Sequence, residues 1–231
     1  MRINIVTYDL IIFDCDGTLV DTEYMNIKAI ISLLHDFGIT KYDIEHGLTH
    51  FSGHRFSRII AIIAQETGFT FPDNAAKLYL SKVNALSETE IKEIKHVHDM
   101  VDTARQYADI CVVSNGERNN VLSSLRRANL LHFFDEAFIF TGLMAPNPKP
   151  APDLFLLAAN QKNICPSKIL VIEDSIAGVS AATAAKMAVW GFCGTHHTPQ
   201  PHAKILRHTG AQATYTNMLD VITALEKIQS A

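Results

Sequence analysis

Short apolar runs rich in β-branched residues recur at residues 8–13, 110–113, 137–140, 169–172 and 188–192. Each has the length of a strand buried on both faces. Segments with helical periodicity, 119–129, 152–161 and 176–186, lie between the later runs, so from about residue 95 onward the chain alternates strand and helix. That alternation predicts an α/β fold, a doubly wound Rossmann-like parallel sheet with helices on its faces.

The first run departs from the rhythm, because only helical patterns separate Phe13 from Ile110. An inserted α-helical domain accounts for this. Ile27, Ile30, Ile31 and Leu34 mark one apolar face over 26–37, with Gly38 as a stop. A second amphipathic helix runs through Ile59, Ile60 and Ile63, Gly68 and Pro72 punctuate the chain, and a third helix covers 75–86. The expected division is a core domain of residues 1–20 and 90–231 and a helical domain of 21–89.

Composition removes several functions. The 20 Lys+Arg against 24 Asp+Glu give a net charge of -4, and a pI near 6.2 without a basic run leaves no electrostatic footprint for nucleic acid. The apolar runs fall far short of the roughly 20 residues of a membrane-spanning helix. The N-terminus lacks the pattern of a secretory signal, so a cytoplasmic location is expected, with no membrane partner. Cys15, Cys111, Cys165 and Cys193 form no CxxC pair and read as reduced. His196 and His197 near Cys193 lack the spacing of a zinc motif.

In an open parallel sheet ligands bind beyond the carboxyl ends of the strands. The first strand runs into Asp14-Cys15-Asp16-Gly17-Thr18, the next into Ser114-Asn115-Gly116, and a later one into Glu173-Asp174-Ser175; Asn147-Pro148-Lys149-Pro150 follows the third run. These segments are expected to converge. Four carboxylates packed together repel unless a cation offsets them, and magnesium suits such a set because it takes one or two carboxylates and shares its shell with a substrate phosphate. Lys149, the Ser114 hydroxyl and the N–H groups around Gly17 and Gly116 would hold phosphate oxygens. Taken singly, each motif also reads as an ordinary turn, helix cap or surface lysine.

In order and spacing the four motifs resemble those of the haloacid dehalogenase superfamily, in the β-phosphoglucomutase and phosphoglycolate phosphatase branch that carries a helical cap. The resemblance covers essentially the whole chain. It implies a phosphomonoester hydrolase in which Asp14 is the nucleophile and forms an aspartyl-phosphate, and Asp16 is the acid and base. It further implies that Thr18 holds the loop beside the substrate and that Ser114, Asn115 and Lys149 bind the phosphoryl group. Mg²⁺ would be bound by Asp14, the Asp16 carbonyl, Glu173 directly or through water, and Asp174.

The helical insert matches that family's cap, so small phosphorylated metabolites are the implied substrates, with Arg55 of the Phe51–Phe56 stretch gripping a distal anionic group and His54 and Arg58 as weaker candidates. The stretches CVVSNG, EDSIAG and FCGTHHTPQPH most resemble sugar-phosphate phosphatases such as 6-phosphogluconate phosphatase. Asn26 stands where the mutases of the branch carry a histidine, which weighs against a phosphosugar mutase. The segment Ile94-Lys95-His96-Val97 lacks the Pro-Gly turn of many relatives. The complete carboxylate and lysine set weighs against an inactive binding module, and Asp16 with a metal against dehalogenation. Relatives of this branch are often monomers, and a monomer is expected.

Overall fold

The computed structural model describes residues 7–52, 54, 56–87 and 90–229. In chain order the elements are β1 (Leu10–Phe13), β2 (Val20–Asp21), α1 (Glu23–Asp36), α2 (Ile44–His50), α3 (Phe56–Thr67), α4 (Ala75–Ser87), β3 (Lys92–Glu93), α5 (Val97–Tyr107), β4 (Asp109–Ser114), α6 (Arg118–Arg127), β5 (Ile139–Thr141), α7 (Asp153–Lys162), β6 (Ile169–Glu173), α8 (Ile176–Ala184), β7 (Ala188–Phe192), α9 (Pro199–Thr209), β8 (Ala213–Tyr215) and α10 (Met218–Gln229). They divide into two compact units, Met1–Asp21 with Lys92–Ala231, and Thr22–Ile91.

The first unit is built on a six-stranded sheet ordered β5-β4-β1-β6-β7-β8, with every pairing parallel. An all-parallel sheet must be covered on both faces, because its connections place helices there. Leu10, Ile12, Cys111, Val113, Ile169 and Val171 face one way, into a cluster with Leu154, Phe155 and Ala158 of α7 and Val179 and Ala182 of α8. On the other face Ile11, Phe13, Val112 and Leu170 are equally buried, on the side of α5 and α10, which pack together. Leu10 to Phe13 are at most 1% exposed, and each such side chain contributes about 1.5–3 kcal/mol of transfer free energy as an upper bound.

Several boundaries differ from the sequence reading. Residues 136–138 form a 3₁₀ turn ahead of β5, so the strand expected at 137–140 begins only at Ile139. The Asp135 side chain accepts the Ala137 N–H and starts that turn. Helix α6 stops before Asn129, which takes a left-handed conformation. The periodicity had not revealed β8, whose three residues are all only partly buried, or α2, which has seven residues.

The second unit packs Ile27, Ile30, Ile31 and Leu34 of α1 around Tyr42, Phe51, Ile59 and Ile63. Phe56 and Tyr79 stack within it, with ring centroids 4.5 Å apart. Among the described residues no helix is long and apolar enough to cross a membrane.

Candidate active site

Strand β1 lies at the centre of the sheet, and the chain steps from it to β4 and β5 on one side and later to β6, β7 and β8 on the other. That reversal opens a crevice at the carboxyl ends of β1, β4 and β6. Asp14 is the first residue beyond β1, and its N–H donates to the Ile172 carbonyl at 3.0 Å. The chain then curls tightly, with the Cys15 carbonyl accepting the N–H groups of Thr18, Leu19 and Val20. Gly17 sits in this curl at φ +84°, and a Cβ there would stand 2.1 Å from Asp174 Oδ2. Only glycine allows the two loops to touch so closely.

Lys149 carries the electrostatics of the crevice. Its Nζ donates to Asp14 Oδ1 at 2.6 Å, Glu173 Oε1 at 2.7 Å and the Val113 carbonyl at 2.7 Å, which uses all three ammonium protons. Its side chain is 2% exposed. The ammonium also lies 5.1 Å from the centre of the Phe155 ring. Glu173 is fully buried and accepts a second bond on Oε2, from the Ser175 N–H at 2.6 Å. Ser175 in turn caps α8 by accepting the Gly178 N–H at 2.9 Å.

Ligand oxygens of Asp14, Glu173 and Asp174 lie within 4.8 Å of one another. Burial is the largest influence on Asp14 and pushes its carboxyl up to about 8; Lys149 pulls it down, while Glu173 and Asp16 push it further up. Burial, then the charges of Glu173 and Asp14, raise Asp174 well above the usual carboxylate range against the pull of Lys149. For Lys149, burial acts to lower the value, but Asp14 and Glu173 outweigh it and the ammonium is held more firmly than usual. Were all three carboxylates ionised beside the one ammonium, two negative charges would remain uncompensated. A divalent cation cancels them, and the all-oxygen donor set fits a hard ion. These residues can therefore hold a metal.

The structure assembles the other expected residues as follows. Ser114 closes β4 and is buried, its Oγ accepting the Gly116 N–H at 3.0 Å. Asp16 is exposed. Its Oδ2 lies 3.8 Å, and Ser114 Oγ 3.2 Å, from the point where a Cβ on Gly116 would stand, so both groups border Gly116. Thr18 is fully buried and donates to Asp174 Oδ1 at 3.4 Å, which makes it a support of that carboxylate. Asn115 is engaged at both ends of its amide: Oδ1 accepts the Lys149 N–H at 2.8 Å and Nδ2 donates to the Lys149 carbonyl at 3.0 Å. It thereby holds the Lys149 backbone; its expected contact with the phosphoryl group is a separate role. Arg55 lies outside the described residues. In the second unit Asn26 Oδ1 accepts from the Tyr79 hydroxyl at 3.3 Å.

Gly178 escaped the sequence reading. A Cβ there would lie 1.7 Å from Glu173 Oε1, so the EDSIAG stretch needs its glycine to let the carboxylate lie against the first turn of α8. The available signal was a glycine inside the first turn of a helix, where no positive φ calls for one.

The model of the family described as haloacid dehalogenase-like hydrolase matches residues 11–192. The chain belongs to that family. It is similar to the 6-phosphogluconate phosphatase of Escherichia coli strain K12, 33% identical over 87% of this chain and 90% of that one. It is also similar to a fructose-1-phosphate phosphatase of the same organism, 30% identical over 78% of this chain and 94% of that one. A haloacid dehalogenase family hydrolase of Deinococcus radiodurans, solved with bound phosphate and sodium, superposes with a TM-score of 0.82 at 29% identity, covering 97% of each chain. As a haloacid dehalogenase-like enzyme with such relatives, the chain is a hydrolase of the phosphatase kind.

Proposed function

We propose that this enzyme is a Mg²⁺-dependent phosphatase of small phosphorylated sugars and sugar acids, with 6-phosphogluconate as the substrate to test first. The observation that carries the reading is the Asp14 carboxylate at the end of the central strand, fixed through Oδ1 by Lys149 and crowded by Glu173 and Asp174. The similarity to phosphatases acting on 6-phosphogluconate and fructose 1-phosphate supports the substrate class.

In this reading Asp14 attacks phosphorus while Asp16 donates a proton to the ester oxygen whose bond to phosphorus breaks. The alcohol leaves and Asp14 carries the phosphoryl group. Asp16, now ionised, takes a proton from water as the water oxygen attacks phosphorus, the bond to Asp14 breaks and phosphate departs. Lys149 and Ser114 hold the phosphoryl oxygens, and Lys149 also keeps Asp14 oriented. Asp14, Asp174, the Asp16 carbonyl and Glu173 would hold Mg²⁺, whose charge offsets that of the phosphoryl group. Glu173 serves chiefly to anchor Lys149, since both its oxygens already accept bonds within the protein. Residues 21–89 act as the family's cap domain, and Arg55 pairs with a distal anionic group such as the carboxylate of 6-phosphogluconate. Asn26, which is not ionisable at neutral pH, disfavours the phosphosugar mutase.

The test is phosphate release from 6-phosphogluconate, hexose phosphates, phosphoglycolate and an aryl phosphate, with and without Mg²⁺, using Asp14→Asn as the blank. Release from sugar phosphates that needs both Asp14 and the metal is expected. Turnover that survives Asp14→Asn or a strong chelator overturns the mechanism. Interconversion of hexose phosphates without net release moves the reading to the mutase.

A further inference from the structure

The segment after β7 and the start of α9 together reach back to both carboxylate loops. Thr195 Oγ1 donates to the Gly17 carbonyl at 2.9 Å. His202 Nε2 bonds the Asp174 backbone carbonyl, and because a carbonyl only accepts, that nitrogen carries the ring proton. The His202 residue is 9% exposed, and its ring lies flat on that of His196, with centroids 4.0 Å apart and planes 9° from parallel. The Thr198 N–H donates to His196 Nδ1 at 3.2 Å. The segment is itself fastened: the Cys193 N–H donates to the Tyr215 carbonyl of β8 at 2.8 Å, and the N–H groups of His196 and His202 donate to the carbonyls of Cys193 and Thr198, each at 3.2 Å.

We propose that Thr195 and His202 are positioning residues that tie the Asp14 loop and the Asp174 loop to one strap, residues 193–202, and so set the spacing of the carboxylates that hold the divalent cation. The inference rests on the proposed metal-dependent phosphatase. Gly17 and Asp174 already touch, with no room for a Cβ between them, and the strap bonds each through its backbone carbonyl. Both contacts are to backbone, so they fix where the loops lie without altering the donor set. Neither residue is among those proposed to touch substrate. Loss of an outer partner of this kind commonly costs about 10–100-fold in metal affinity or activity.

The experiment uses the full chain and four variants, Thr195→Val, His202→Phe, His202→Gln and Asp174→Asn. His202→Phe keeps the flat ring and removes the donor, whereas His202→Gln returns an N–H near the position of Nε2. Mg²⁺ affinity is measured by titration calorimetry, alongside kcat and KM for an aryl phosphate and the metal-free melting temperature. Thr195→Val and His202→Phe are expected to weaken Mg²⁺ binding about 10-fold or more and to lower kcat with KM changed less than about twofold, while the metal-free Tm falls by no more than about 5 °C. His202→Gln should recover most of the loss.

Wild-type affinity and kcat in either folded variant, or a His202→Phe defect that His202→Gln does not repair, overturns the strap. If His202→Phe fails to fold, Thr195→Val decides the question alone. A wild-type chain that binds Mg²⁺ in a manner abolished by Asp174→Asn, yet hydrolyses nothing, overturns the phosphatase reading and leaves the strap to be judged on affinity. A wild-type chain that binds no Mg²⁺ overturns both.

Discussion

The carboxylate of Glu173 occupies the space in which a side chain at Gly178 would begin, 1.7 Å from Oε1 to the ideal Cβ. Helix propensity taken alone favours Gly178→Ala by about 0.5–1 kcal/mol. The contact decides otherwise, because the methyl group would push a fully buried carboxylate off both Lys149 and Ser175. We expect a net loss of about 2–4 kcal/mol in stability and a fall of at least about 100-fold in kcat/KM. Denaturant unfolding and steady-state kinetics check it, and a variant more stable than wild type would refute the steric account.

Lys149→Met removes a cation from three acceptors and leaves Asp14 and Glu173 buried without it. Breaking a buried pair in this way costs roughly 3–5 kcal/mol. The deficit should shrink as pH falls through about 8, where Asp14 takes up a proton and one of the two unpaired charges disappears. Unfolding at pH 5 and pH 8 measures this, and equal deficits would show that the lysine acts only by filling space.

The metal-free protein should lose stability as pH rises. Asp14 titrates near 8 in the fold but near 3.9 in the unfolded chain, so between these values the folded state holds more protons. Its contribution is fully present below about pH 4 and is lost as pH climbs through about 8. Asp174 moves in the same direction. A divalent cation binds the ionised carboxylates, so the rise in Tm that Mg²⁺ produces should be larger at pH 8 than at pH 5.5. Calorimetric scans at the two pH values check this, and a Tm rise as large at pH 5.5 would refute it.

Asn115→Ala removes two hydrogen bonds that hold the Lys149 backbone, at about 0.5–1.5 kcal/mol each. Lys149 should then wander relative to Asp14. A fall in kcat with little change in KM is expected. A raised KM with kcat intact would return Asn115 to direct contact with the substrate.

The placement of the carboxylates was legible because strands of an all-parallel sheet deliver their last residues to one edge. Asp14, Ser114 and Glu173 could therefore be placed from the ends of apolar runs alone, and the six-stranded order agrees. What depends on distance through space was not legible. Nothing in the spacing of Asn115 and Lys149 says that an amide closes on a peptide group 34 positions away, nor that Thr195 finds Gly17. Strand β8 was invisible for a different reason, since the partly buried Ala213, Thr214 and Tyr215 present no apolar run.

Strands β2 and β3 pair antiparallel, Val20 opposite Glu93 and Asp21 opposite Lys92. The polypeptide thus leaves the sheet-bearing unit and returns to it through a single doorway whose two jambs are hydrogen-bonded to each other. What lies between can change in length at small thermodynamic cost, because each doubling of a tethered loop adds only about 0.6 kcal/mol of closure entropy. The doorway makes the insert an exchangeable cassette: a helical bundle of another length, grafted at Asp21 and Lys92, would leave the Val20–Glu93 pairing that closes the sheet-bearing unit in place.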